Sequence, residues 1–244
     1  MKAYRLVLVW LFLAAAAARG QEATTVLVPA VGNVFGSNAR WATDVELANT
    51  TSFEVDVAIE LASIPGAPPI FFTLGPGQVQ RFPDIVRAFG MEFALSPLRV
   101  TTSRRHGIVV RASAYALGTA TPAPRQVIPA YASDTYYPVR ILEGLSFSNL
   151  YRTNIGLVNA GEQVAEFVLA LQRVPGRNVA VTHVFINPGD IGHIAIQALF
   201  PMITDGHGFA VVVETPTRDT HVYASVIESE THFAKFVAPR VGAR

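Results

Sequence analysis

The two halves of this chain are versions of each other, so whatever architecture one half adopts the other should adopt too. Thr43-Asp44-Val45-Glu46-Leu47-Ala48-Asn49 returns as Thr153-Asn154-Ile155-Gly156-Leu157-Val158-Asn159, 110 residues later (154 − 44). Pro76-Gly77 returns as Pro188-Gly189 and Ala112-Ser113 as Ala224-Ser225, each 112 later (188 − 76, 224 − 112). Val127-Ile128-Pro129 returns as Val237-Ala238-Pro239, again 110 later (237 − 127). Solenoid repeats run at about 20–50 residues, so a period this long marks a duplicated domain. The copies are expected at 25–131 and 133–240, joined by a segment, Tyr131 to Thr135, too short to act as a loose tether.

Each copy reads as β-structure. In Phe53-Glu54-Val55-Asp56-Val57-Ala58-Ile59-Glu60-Leu61 every odd position is apolar and most even ones are acidic. That period of two is a strand with one buried and one wet face. The second copy keeps the inner face as Ala165, Phe167, Leu169 and Leu171, while Val164, Val168 and Ala170 replace Glu54, Ala58 and Glu60 outside. Further strand-like runs are Val26 to Val31, Pro69 to Leu74, Gly77 to Phe82, Leu98 to Thr102 and Ile108 to Leu117. Their counterparts are Tyr136 to Ile141, Val179 to Ile186, Asp190 to Ile194, Phe209 to Glu214 and His221 to Ile227. Each copy closes on a short strand, Gln126 to Ala130 and Phe233 to Ala238. Many short strands with turn signals between them predict an all-β fold of two tandem β-sandwiches. Only Asp84 to Phe89 and Ile196 to Phe200 read as helical, with Asp84 as N-cap and Gly90 as stop.

The N-terminus predicts export. Lys2 and Arg5 precede an apolar run from Leu6 to Ala18, and small residues follow up to Gly20. This is the build of a signal peptide, residues 1–20, and the run is shorter than the ~20 residues a bilayer span needs. Residues 1–20 hold three basic groups and no acid, so the remainder carries 16 Lys plus Arg (19 − 3) against 18 Asp plus Glu, a net of −2. A chain that near neutrality has no electrostatic footprint for nucleic acid. No second long apolar run exists, so no membrane span is expected after processing. The chain has no cysteine. An exported protein can form disulfides, so this one must rest on its cores, which copies of roughly 105 residues are large enough to build.

Four stretches carry a family resemblance. They are Val28 to Val31, Trp41 to Asn49, Phe72 to Gly77 and Val109 to Ser113. Together they resemble an uncharacterised immunoglobulin-like repeat of secreted bacterial proteins, over nearly all of the chain past the signal peptide. The resemblance implies tandem immunoglobulin-like sandwiches and implies no chemistry. A more distant similarity is to the two-sandwich periplasmic pilus chaperones.

Candidate chemistry is sparse. Six histidines occur, His106, His183, His193, His207, His221 and His232, none at zinc-protease or finger spacing. Ser113 and Ser225 follow Ala in alternating strands, where a small residue serves sheet packing, and no nucleophile-elbow motif surrounds them. A catalytic centre would have to gather His193, His207 or His221 with Asp190, Asp205 or Asp219, which fall on separate turns and strand ends. No catalytic residue, cofactor or metal is therefore assigned. Phe35 and Phe147 sit at matching places in Gly-containing loops, ahead of Trp41 and Tyr151. They are expected either to plug the sandwich ends or to form a ligand-binding tip. Arg104-Arg105-His106 is a basic hairpin tip, and Arg104 and Arg105 join the two phenylalanines as candidate partner contacts. Asn49 and Asn159 each end a strand and are expected to make Asx-turns. The expected function is an exported, periplasmic or secreted, non-enzymatic module. It would be structural, adhesive or protein-binding, with an extracellular or periplasmic protein or polysaccharide as partner. A carbohydrate-binding accessory module and an assembly factor acting by strand addition are the alternatives.

Overall fold

The computed structural model describes residues 23–36, 39–105, 107–118, 125–132, 135–174, 177–231 and 233–242. The expected signal peptide, 1–20, lies outside the described residues, as do His106 and His232. All strand pairings given by register are antiparallel. Among the described residues no helix is long and apolar enough to cross a membrane.

The chain divides into two compact units, each discontinuous in sequence. Unit 1 takes 1–34, 42–114 and 128–133, and unit 2 takes 35–41, 115–127 and 134–244. The division differs from a single cut after residue 131 in two short segments, 35–41 and 115–127, which side with unit 2.

The first set of elements is β1 (Thr24–Phe35), β2 (Arg40–Asn49), β3 (Val55–Leu61), β4 (Ile70–Leu74) and β5 (Val79–Phe82). It continues with α1 (Ile85–Ala88), β6 (Ala94–Thr102), β7 (Ile108–Leu117), β8 (Gln126–Ile128) and β9 (Tyr131–Ala132). They form one nine-stranded sheet in the order β4-β3-β6-β1-β2-β7-β8, with β5 added beside β2 and β9 beside β1. The long β1 makes this a single sheet, because it pairs both β6 and β2. Its register against β6 slips between Val28 and Val31, and such a bulge bends and twists a strand. On β3 the alternation has its expected result, with Val55, Val57, Ile59 and Leu61 all at most 1% exposed. The outward carboxylates find partners across the sheet. Thr73 donates to Asp56 at 2.8 Å, and Arg99 pairs with Glu60.

The helix α1 follows its local chemistry. The Asp84 carboxylate accepts from the Arg87 amide at 3.2 Å, satisfying one of the orphan donors of the first turn. It also accepts from the buried Asn33 side chain at 2.5 Å. Gly90 ends the segment with φ +72°, a conformation that favours glycine. Asp84→Ala is expected to lower stability by about 1–2 kcal/mol in urea unfolding. A loss within a few tenths would show that the cap contributes nothing.

The second set is β10 (Val139–Phe147), β11 (Tyr151–Asn159), β12 (Ala165–Val174), β13 (Arg177–Ile186) and β14 (Ile191–Ala195). Then come α2 (Ile196–Leu199), β15 (Gly206–Glu214), β16 (Thr220–Glu228), β17 (Ala234–Val237) and β18 (Arg240–Val241). They make two sheets, β13-β12-β15-β10-β18 and β14-β11-β16-β17. Strand for strand this is the pairing succession of the first set, without the link that β1 makes to β2. One core lies between the sheets. Phe167, Leu169 and Val211 enter it from one sheet, Ile155, Leu157 and Ala224 from the other, and Ile196 and Phe200 from α2 and its end. Ala165, Phe167, Leu169 and Leu171 are at most 1% exposed, like the four β3 residues they match.

Each unit has one buried asparagine at the end of a central strand. Asn49 Oδ1 accepts from the Thr51 amide at 2.9 Å, which is the expected Asx-turn. Its Nδ2 goes further, donating to the carbonyls of Phe53, Leu74 and Gly75 at 2.7, 2.9 and 3.0 Å. Asn159 repeats this, accepting from the Gly161 amide and donating to the carbonyls of Gln163 and Ile186.

Candidate functional site

The sequence-predicted contacts do not form one site. Phe35 is 72% exposed, with the Arg40 guanidinium 5.8 Å from its ring centre. Phe147, its match, packs instead against the core of unit 2. Trp41 and Tyr151, expected to be well buried, are both only half-buried. Arg104 in unit 1 lies over the Phe53 ring at 4.7 Å, an intramolecular cation–π contact, and Arg105 beside it is exposed.

The histidines occupy different surroundings. His193 Nδ1 is 2.9 Å from the hydroxyl of Tyr223, whose phenol is fully buried and pushed up by that burial. His221 is 6% exposed, and burial first and the charge of Arg140 second lower its pKa to about 4. It is therefore neutral at neutral pH. His183 bonds Glu166 at 2.8 Å on an exposed face. Asp190 caps the Ile191 amide at 2.8 Å. Among the described residues no group of three or more histidines and carboxylates could hold a metal ion. Ser225 meets the Gln126 side-chain amide at 3.2 Å.

Two features of unit 2 do present surface chemistry. The first is a pocket of about 540 Å³ at one end of the sandwich. Tyr151 opens β11 and Glu228 closes β16, and the two lie directly opposite in the ladder. The Tyr151 hydroxyl donates to Glu228 Oε1 at 3.2 Å, and the Thr231 hydroxyl bonds Oε2. The negative charge of Glu228, and then the hydrogen bond to it, raise the Tyr151 pKa. His207 stands edge-on to Tyr151, ring centres 5.5 Å apart. Phe233, 46% exposed, and Lys235 complete the rim. Lys235 pairs across the ladder with Val226, a core residue, which puts its side chain on the core-facing side. No sequence motif signals this cluster, because Tyr151 and Glu228 are 77 residues apart and meet only through strand register.

The second feature is the outer face of the β13-β12-β15-β10-β18 sheet. Val179, Val181 and Phe185 on β13 are 54, 54 and 64% exposed. A concavity of about 770 Å³ crosses Val168, Val212 and Ile141 on the neighbouring strands and ends at Tyr136. The corresponding strands of unit 1 show Asp56, Glu60 and Arg99 there, mutually engaged as described above.

No family model and no curated protein matches the chain. Among solved structures, one titled Crystal Structure of Thermotoga maritima 1070 is similar over 44% of this chain and 97% of its own, at 12% identity and a TM-score of 0.37. Likeness at that level carries no argument here.

Proposed function

We propose that the chain is an exported, non-enzymatic module of two immunoglobulin-like sandwiches related by internal duplication. Its second unit binds another exported protein through the outer face of the β13-β12-β15-β10-β18 sheet. Support for the duplication is the common pairing succession joined to the recurrence at 110–112 residues. The observation that carries the binding role is the apolar surface at Val179, Val181 and Phe185. A contiguous exposed apolar patch on a soluble fold marks an interaction site more often than chance. The scaffold does not demand it, since unit 1 builds the equivalent strands with a charged outer face. Covering a valine or phenylalanine side chain fully is worth roughly 1.5–3 kcal/mol, so three of them can anchor a complex.

The test is affinity capture of envelope proteins by the full chain and by a Val181→Lys, Phe185→Ser double variant. Melting curves verify that both are folded. A partner retained by the parent, bound directly when purified, and lost with the double variant is the expected result. Equal retention by both proteins would remove this face from the reading.

Strand addition is favoured by a different feature, the edge of β13. Among the described residues its only ladder is to β12, and its ten residues contain neither proline nor lysine. Recognition would then run through backbone groups. A partner that survives the double variant but is displaced by a peptide copy of β13 would identify that mode.

A further inference from the structure

The end pocket of unit 2 holds groups that the fold does not require. Glu228 stands where the first half, 112 residues earlier (228 − 112), has Ala116. The first half nevertheless pairs its strands in the same succession. The carboxylate, its two hydroxyl donors and the neighbouring lysine are thus an addition to the scaffold. They converge on a concave space, whereas surface charges on a strand face would be scattered.

We propose that this pocket binds a sugar unit carrying a carboxylate, of the hexuronic acid class, within an extracellular polysaccharide. The pocket's volume of about 540 Å³ lies in the range of small-molecule sites, roughly 300–1,000 Å³. Phe233 offers an exposed ring at the rim, and an aromatic face suits the C–H face of a pyranose. Glu228 accepts hydrogen bonds from two hydroxyls, those of Tyr151 and Thr231. Hydroxyl donors are what a sugar supplies, and a carboxylate offers about four acceptor positions, so two remain for the ligand. His207, edge-on to Tyr151, adds a ring nitrogen that can donate or accept.

Lys235 sets the charge of the ligand. Among the described residues it makes no ion pair, and it brings three donors to the rim. A neutral sugar would leave that ammonium unanswered. A ligand with several negative charges would be repelled by Glu228. A polyol with one carboxylate satisfies both groups: hydroxyls toward Glu228, carboxylate toward Lys235, in a charge-assisted hydrogen bond.

The experiment uses the full chain with sodium glucuronate, sodium galacturonate and methyl glucoside as probes, followed by saturation-transfer NMR and calorimetry. Binding of at least one uronate in preference to methyl glucoside is expected. Lys235→Gln should weaken that uronate roughly tenfold and leave methyl glucoside unchanged, as expected for loss of one charge-assisted bond. Phe233→Ala should weaken every sugar that binds. Lys235 is exposed and unpaired among the described residues, so its variant should fold even if Glu228→Gln does not. Three results would overturn the proposal: no uronate bound at about 10 mM, a concentration that detects even millimolar dissociation constants; methyl glucoside bound as tightly as the uronates; or a uronate affinity unmoved by Lys235→Gln. The partner-capture experiment reads a different surface, so either proposal can fail while the other stands.

Discussion

Gly156→Ala should cost unit 2 about 3 kcal/mol, although it adds a single methyl group. A Cβ built on Gly156 would lie 2.0 Å from Tyr223 Cε1 and 2.1 Å from Cζ. Real contacts do not approach so closely, so either the ring or the strand must move. The ring has little room to do so. It stacks on Phe236, ring centres 5.0 Å apart and planes within 11°, and its hydroxyl is held by His193 at 2.9 Å. Gly156 and Tyr223 are directly opposed in the β11–β16 ladder, so the glycine is the floor on which the phenol lies. Overpacking of this kind usually costs about 1–3 kcal/mol, and a floor of backbone puts this case at the upper end. A double-mutant cycle isolates the cause. In a Tyr223→Ala background the same change should be nearly neutral, because the ring that blocked it is gone. Additive losses in urea unfolding of the two single variants and the double would reject the steric account.

The second large effect is expected at Asn159. Its side chain is fully buried, and its Nδ2 donates to the carbonyls of Gln163 and Ile186 at 2.6 and 2.9 Å while Oδ1 accepts from the Gly161 amide at 3.0 Å. Asn159→Ala removes all three bonds at once. It strands one amide and two carbonyls where water has poor access, at about 1–3 kcal/mol for a buried unsatisfied group. A total loss of about 2–4 kcal/mol should appear as a shift in the denaturation midpoint at unchanged slope. Asn159→Asp should do worse than alanine, since it turns a donor into a charge facing two carbonyl oxygens. Asn49→Ala should match Asn159→Ala, because Asn49 bonds three carbonyls. If Asn159→Asp proves milder than Asn159→Ala, the donors are not what the side chain is there for.

Features set by neighbouring residues were open to a sequence reading. The alternation from Val55 to Leu61 and from Ala165 to Leu171 predicts which side chains are buried, because a strand's side chains alternate whatever it pairs with. Asp84 as N-cap and Asn49 and Asn159 as Asx-turns follow in the same way, since a short polar side chain reaches only backbone a few residues away. The apolar change at Val164, Val168 and Ala170 was visible too, as a difference between the copies. Matching sequence places did not ensure matching fates. Phe35 and Phe147 occupy equivalent positions, yet one is exposed and the other packs on a core. Their surroundings come from strands distant in sequence, so nothing local distinguishes them.

The amino-acid sequence by itself therefore determined the β-character, the twofold recurrence and the inward face of each strand, all of which depend on period and short-range geometry. Tertiary structure alone decided that β1 pairs both β2 and β6, that Tyr223 lies on Gly156, and that Tyr151, Glu228, His207 and Lys235 share one pocket. Those arrangements rest on strand register. Shifting a strand by one residue sends every side chain to the other face. Register is chosen by how the whole core packs, which no local stretch of the chain encodes.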